Sequence, residues 1–241
     1  MREDGAVLLL VLLGLAILAA LAGVALRLGQ SGIAGLRAEE AVLSRNLTEE
    51  SALALISSRL GRGDMARDGS SVVLPVTGAK VEARVHDVAG MVNPAHARPQ
   101  ILQALLQARG ASPDQALALT TAILAARSRG AFVGPWDLSP LFAADPGLWS
   151  RVAPDLTFLG NRNTVSPDLA APDLQAALAG VIGAGADLTA APPQAGLYEI
   201  DLRTLPAAGQ PAPPFTRFSL LRDRRGHWHQ FFRSWPMEMP G

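Results

Sequence analysis

Residues 6–26 read AVLLLVLLGLAILAALAGVAL, and no charged side chain occurs from Gly5 to Leu26. A helix that crosses a bilayer takes about 20 apolar residues, so this run has the length and composition of a membrane span. A secretory signal carries a basic segment before a short apolar core and a small-residue cleavage site after it. Here only Met1-Arg2-Glu3-Asp4-Gly5 precedes the run, and it holds two acids. The stretch is therefore read as a retained transmembrane helix over residues 6–28. Orientation is left open by the flanks. Arg2 and the terminal amine favour an inside N-terminus, whereas Glu3, Asp4, Arg27 and Arg37 dilute that bias.

The helical pattern continues past the apolar run. Ile33, Leu36, Leu43, Leu47 and Ala54 recur at helical spacing, with Glu39, Glu40, Arg45, Glu49 and Glu50 between them. Residues 29–61 are thus expected to form an amphipathic continuation that lays an apolar stripe on a globular domain. A helix over residues 6–60 would be about 80 Å long. Gly29, Gly32 and Gly35 sit at the junction, as a hinge or as a small-residue packing face. Gly61 to Gly63 end the pattern.

The rest of the chain divides into strands at both ends of a helical stretch. Ser71–Val76 and Ala79–Val88 read as strands joined by Thr77-Gly78. In the second, Val81, Ala83 and Val85 alternate with Lys80, Glu82, Arg84 and His86. Residues 91–180 read as short helices. Asn93-Pro94 is the expected start of the first, with Ile101, Leu102, Leu105 and Leu106 buried and Gly110 at its end. Ser112-Pro113-Asp114 starts a second that runs to about Arg129, with Leu117, Leu119, Ile123 and Leu124 as its apolar positions. Trp136-Asp137-Leu138 and Pro146-Gly147-Leu148-Trp149 open two more. NTVSPDLAAPDLQAALAG, residues 163–180, is a weaker copy of the Val92–Leu106 unit, with Leu174 and Leu178 in the buried roles. After a segment rich in glycine, alanine and proline, strands are expected at Leu197–Leu205, Phe215–Arg222 and His227–Trp235. The last two form a hairpin through Asp223–Gly226.

Composition narrows the classes. The chain has 241 residues, 49% hydrophobic, 17% charged and 5% aromatic, which excludes disordered, collagen-like and disulfide-scaffold proteins. Cationic and anionic residues balance at 21 each, so overall charge points to no nucleic-acid partner. Without cysteine there is no disulfide and no thiolate zinc site.

A five-residue leader ending in glycine, followed at once by an apolar helix that turns amphipathic, resembles the type IV pilins and pseudopilins. The resemblance implies prepilin-peptidase cleavage between Gly5 and Ala6 and N-methylation of Ala6. Most members carry glutamate at the fifth mature position; this chain has Leu10 there. The K-type minor pseudopilin of type II secretion systems is the member that lacks the acid. A carboxylate in lipid needs a partner, usually the amine of the neighbouring subunit, and a subunit at the tip has none above it to serve. Glu3 and Asp4 depart from the positive residues usual in the leader. Further along, Val92-Asn93-Pro94, Ala122–Phe132 and Asn161–Val165 resemble the asparagine turns and helical segment of the K-type insert, so the resemblance runs nearly the whole chain in order.

The implied fold is α+β: a long pilin-like N-terminal helix on a small antiparallel sheet, with an inserted α-helical domain of SAM-like or helix-hairpin-helix-like kind. The implied parts are leader 1–5, span 6–28, amphipathic helix 29–61, first β part 62–90, helical insert 91–180 and C-terminal strands 181–241. The implied role is assembly with I-type and J-type minor pseudopilins at the pseudopilus tip, in support of export of folded proteins across the outer membrane. The implied place is the inner membrane, single-pass, with the C-terminal domain in the periplasm. Prepilin peptidase and the inner-membrane secretion platform are further implied partners.

Other chemistry finds little footing. No nucleophile elbow, Walker loop or HExxH motif occurs, so no catalytic residue is assigned and no enzyme is expected. K-type members can hold calcium in the insert, but Asp137, Asp145, Asp155, Asp168 and Asp173 form no DxDxDG-like run, so no calcium ligand is assigned. His227 and His229 are spaced to share one strand face, with no third metal ligand expected beside them. His86 and His96 are expected at the surface. RDRRGHWHQFFR, residues 222–233, has the cations and aromatics of a single-strand binder and equally those of a solvated hairpin. A membrane-anchored helix-hairpin-helix receptor for nucleic acid is the alternative reading; the Gly-apolar-Gly hairpin it needs is replaced by Ala108–Ser112. An ordinary type IV pilus minor subunit is a third, disfavoured by Leu10 and by the helical stretch.

Overall fold

A computed structural model describes residues 15, 18, 36, 39–130, 132, 134–183, 196–206, 209–223 and 225–233. Gly5, Ala6, Leu10, the glycines at 29–35 and nearly all of the expected span 6–28 lie outside them. Among the described residues no helix is long and apolar enough to cross a membrane. The chain forms two compact units, Met1–Ser51 and Ala52–Gly241. In the first, residues 15, 18, 36 and 39–51 are helical, and Leu36, Val42, Leu43 and Leu47 are exposed.

Helix α1, residues 39–62, ends in the second unit. Its last turn closes as a Schellman motif: Asp64 N–H donates to Arg59 O at 3.0 Å and Gly63 N–H to Leu60 O at 3.2 Å. Gly63 takes the left-handed conformation, φ 77°, that this motif requires. The α1 face on the sheet is Ala52, Leu53, Ile56 and Leu60. In the second unit this corrects the expected stripe at Ala54, which is exposed. Within the second unit, Leu53, Ile56 and Leu60 carry the bulk at i, i+3 and i+7 spacing, and the sheet packs against bulk rather than against the small Ala54.

Five antiparallel strands follow in the order β1 Asp68–Val76, β2 Ala79–Asp87, β3 Leu197–Thr204, β4 Thr216–Arg222 and β5 Trp228–Arg233. All five lie where strands were expected, with β1 starting three residues earlier than its alternation suggested. There the register shifts between Asp68 and Ser71, and Gly69, at φ 80°, passes over the His86 ring. One sheet face carries Leu74, Val81, Ala83, Val85, Ile200, Leu202, Phe218 and Leu220 and packs on α1. The opposite face carries Glu82, Arg84, His86, Glu199, Asp201 and Arg217, because side chains alternate along a strand.

The helices lie between β2 and β3: α2 Pro99–Ala108, α3 Pro113–Arg129, α4 Pro135–Leu138, α5 Pro146–Val152 and α6 Pro172–Gly183, with short 3-10 turns between them. They enclose their own core, including Ile101, Leu102, Leu105, Phe142, Leu148, Trp149, Leu174 and Leu178. The Phe142 and Trp149 rings pack at 5.2 Å between centroids. Helix α2 packs on both α3 and α6, so the two copies of the sequence unit meet.

Two expectations in this region are corrected. The first helix starts at Pro99, not at Asn93-Pro94. Asn93 instead closes a turn, its Oδ1 accepting from Ala95 N–H at 2.9 Å, and Pro99 suits the first helical turn, where no N–H is needed. In α3 the buried positions are Ala116, Thr120 and Ile123, while Leu117 is exposed and Leu124 half-buried. The two asparagine turns do come together. Asn93 Nδ2 donates to Gly160 O at 2.8 Å, and Arg98 N–H to Asn163 O at 3.3 Å. Gly90 is needed beside them, since a Cβ there would lie 2.0 Å from Leu169 O.

Candidate functional site

On the polar face of the sheet, His86, Glu199, Asp201 and Arg217 are buried and joined into one network. Cross-strand register places Asp201 opposite both Arg84 on β2 and Arg217 on β4, and Glu199 opposite His86 and Ser219. Arg217 donates to Asp201 through Nε at 2.6 Å and through Nη2 at 2.9 Å. Its Nη1 and Nη2 also donate to Leu156 O and Pro154 O, both at 2.8 Å. The guanidinium therefore ties β3 and β4 to the chain segment after α5. Glu199 Oε2 lies 2.7 Å from Arg217 Nη1, and Glu199 Oε1 accepts from the Thr157 hydroxyl at 2.7 Å.

These charges are exposed by less than a tenth: Glu199 4%, Asp201 2% and Arg217 7%. Burial pushes the Asp201 carboxyl up, but the Arg217 guanidinium and the His86 imidazole outweigh it and hold the carboxyl below the usual range. Burial pulls Arg217 down, and the two carboxylates more than restore it. For Glu199 burial wins, and its carboxyl is raised despite Arg217 and Thr157. One cation thus serves two acids of unequal standing, with Asp201 as the firm ion-pair partner.

His86 belongs to this network, which corrects its expected surface position. Its exposure is 6%, and its Nε2 lies 3.3 Å from Asp201 Oδ2. His96 is exposed as expected. His227 and His229 are exposed on the β4–β5 hairpin, with ring nitrogens 3.5 and 3.2 Å from Asp223 Oδ2. Asp223 Oδ1 accepts from the N–H groups of Arg225 and His227, each at 2.8 Å, so the carboxylate is first a turn-forming group. Among the described residues no group of three or more histidine or acidic side chains is placed to hold a metal ion.

The five scattered aspartates have separate tasks. Asp137 accepts from Gly134 N–H at 3.1 Å at the start of α4, and Asp145 caps α5 through Leu148 N–H at 2.8 Å. Asp168 lies in the first turn of a 3-10 helix. Asp155 and Asp173 converge on Arg109. Its Nη2 donates to Asp155 Oδ1 at 2.9 Å and its Nη1 to Asp173 Oδ2 at 3.0 Å.

Beside this ion pair a cleft of about 690 Å³ opens between the sheet and the helices, with Arg84, His86, Arg109, Arg151, Asp155 and Asp173 on its walls. The sequence reading did not assemble these residues. Four of them come from separate helices and connections that are close only in the folded unit, and no local spacing links them to β2.

No protein-family model and no curated protein matches this chain. The fold and site define an α+β protein in which a helix covers the apolar face of a five-stranded antiparallel sheet. Helices inserted between β2 and β3 contribute the carbonyl groups of Pro154 and Leu156 to Arg217 on the opposite face. Its buried charges stitch elements together.

Proposed function

We propose that this chain is a minor pseudopilin of a type II secretion system, of the K type, and that it acts by assembly rather than catalysis. The observation that carries the reading is the arrangement of elements. An N-terminal helix lies on an antiparallel sheet, and a helical insert with two asparagine turns occupies the connection between β2 and β3. The sequence supplies the rest: a leader ending at Gly5, an apolar run from Ala6, and Leu10 where most pilins have glutamate. In this reading the sheet with α1 is a pilin-like domain, and the insert is its SAM-like or helix-hairpin-helix-like addition.

The apolar run anchors the chain in the inner membrane, and the second unit faces the periplasm. Prepilin peptidase removes residues 1–5, and Ala6 is methylated. The chain then joins the I-type and J-type minor pseudopilins at the tip, where Leu10 leaves no unpaired carboxylate in lipid. A broad insert is accommodated best where no subunit stacks above it.

Two measurements test this. Intact-mass analysis of the chain expressed with its prepilin peptidase is expected to show loss of Met1–Gly5 and one added methyl group. Coexpression of the full chain with the I-type and J-type proteins of the same genome is expected to give one stoichiometric complex on size exclusion in non-ionic detergent. An unprocessed N-terminus together with no coelution would overturn the reading. Salt-sensitive retention of DNA in their place would favour the nucleic-acid receptor.

A further inference from the structure

The cleft beside Arg109 has an uneven charge arrangement. Arg109 is fully engaged: Asp155 takes its Nε and Nη2, and Asp173 takes its Nη1. Those two carboxylates are therefore turned toward a cation already present. The other two arginines on the walls are differently placed. Arg84 has Glu82 as its acid at 3.5 Å, but that carboxylate is held more closely by Arg203, at 2.6 Å. Arg84 also lies 4.5 Å over the Phe215 ring, which orients its guanidinium plane without neutralising it. Arg151 donates its Nε to the neutral Arg109 carbonyl at 2.8 Å, and its nearest acid, Asp145, already accepts from Leu148 N–H and from the Gln115 amide.

The volume of about 690 Å³ falls in the range of small-molecule sites. Guanidinium groups match carboxylate and phosphate in a fork of parallel N–H bonds. A cation is a poor fit, because both oxygens of Asp155 and one of Asp173 already accept from Arg109. We propose that this cleft is a binding site for a small oxyanion, a carboxylate or phosphate group, held by Arg84 from the sheet and Arg151 from α5. Such a ligand bridges the sheet and the helical insert. The proposal goes beyond the secretion reading and does not depend on it.

The test is calorimetric titration of the full chain in non-ionic detergent with sodium phosphate and, separately, with sodium citrate, at constant ionic strength set with sodium chloride. A saturable isotherm with one site per chain is expected for at least one of them. Binding of phosphate alone assigns a phosphate ligand, and binding of citrate alone assigns a carboxylate ligand. Arg84→Gln and Arg151→Gln are each expected to weaken binding about tenfold. Asp173→Asn is expected to tighten it several-fold, because it releases Arg109 Nη1 for the anion. Asp173 is 74% exposed, so this variant keeps its fold even where the arginine variants lose theirs. The proposal is overturned if neither anion gives a saturable isotherm, if folded arginine variants bind as the parent does, or if Asp173→Asn leaves binding unchanged or weaker.

Discussion

Thr77 is the single described residue other than glycine with a left-handed backbone, at φ 46°. With Gly78 at φ 82° it forms the two-residue turn of the β1–β2 hairpin. Positive φ at both central positions suits the right-handed twist of the flanking strands. A β-branched residue is the costly choice at that backbone, and asparagine the tolerant one. Thr77 is exposed, so little packing is lost by replacing it. Thr77→Asn is therefore expected to stabilise the chain by about 1 kcal/mol, read as a higher midpoint in urea denaturation. An unchanged or lower midpoint would show that the turn carries no strain. His86 teaches the complementary lesson at this scale. An alternating strand puts it on the polar face, and whether that face meets water depends on residues far along the chain.

The elements follow the same logic of bulk and backbone demand. Helix α1 meets the sheet through Leu53, Ile56 and Leu60, and Ile56 has no exposed surface. Truncation of a fully buried isoleucine removes transfer energy and leaves a cavity, together about 2–5 kcal/mol. Ile56→Ala is expected to destabilise by about 3 kcal/mol, whereas Leu43→Ala, at a side chain 59% exposed, is expected to change stability by less than about 0.5 kcal/mol. Chemical denaturation of the two variants in non-ionic detergent separates these outcomes, and equal effects would refute the packing face assigned to α1. The start of α3 is equally local in origin. Ser112 Oγ accepts from Gln115 N–H at 3.2 Å, and Pro113 follows in the first turn. That signature was legible in the letters, and the helix begins where they place it.

On the scale of the whole molecule, Arg217 is the link between the sheet and the helical insert. Its removal leaves Glu199 and Asp201 buried without their cation and orphans the Pro154 and Leu156 carbonyls. Arg217→Met is expected to cost about 3–5 kcal/mol, measured by denaturation. A loss below about 1 kcal/mol would mean that water replaces the guanidinium. The same network gives the chain an acid limit. The Asp201 carboxyl is held below its ordinary value of 3.8 in the folded state, burial being outweighed by Arg217 and His86. As pH falls below that value, the unfolded chain takes up a proton that the folded chain refuses, so stability declines with acidification. Glu199 has the opposite sign. Its raised carboxyl, caused mainly by burial, favours the folded state below the ordinary value of 4.5 and loses that contribution as pH rises through the folded value. Asp201→Asn is thus expected to flatten the fall of stability below about pH 4, and Glu199→Gln to leave that fall in place. Melting midpoints across pH 2 to 7 test both; an acid-limb slope unchanged in Asp201→Asn would remove Asp201 as its source.

Strand and helix order, the hairpin turns and most helix starts were determined by the sequence itself. They rest on interactions within a few residues: alternation, capping hydroxyls, prolines in first turns and glycines with positive φ. The pairing of Val92–Leu106 with its weaker copy was also legible, and α2 packs on α6. Tertiary structure alone decided the rest. The α1 face on the sheet depends on which side chains have bulk opposite them, and the start of α2 on where Asn93 finds the carbonyls of a turn 66 residues further on. The burial of Glu199, Asp201, Arg217 and His86 and the cleft at Arg84, Arg109 and Arg151 have a common physical cause. The desolvation and pairing of a charge are set by whatever packs over it, and here that cover comes from helices distant in the chain.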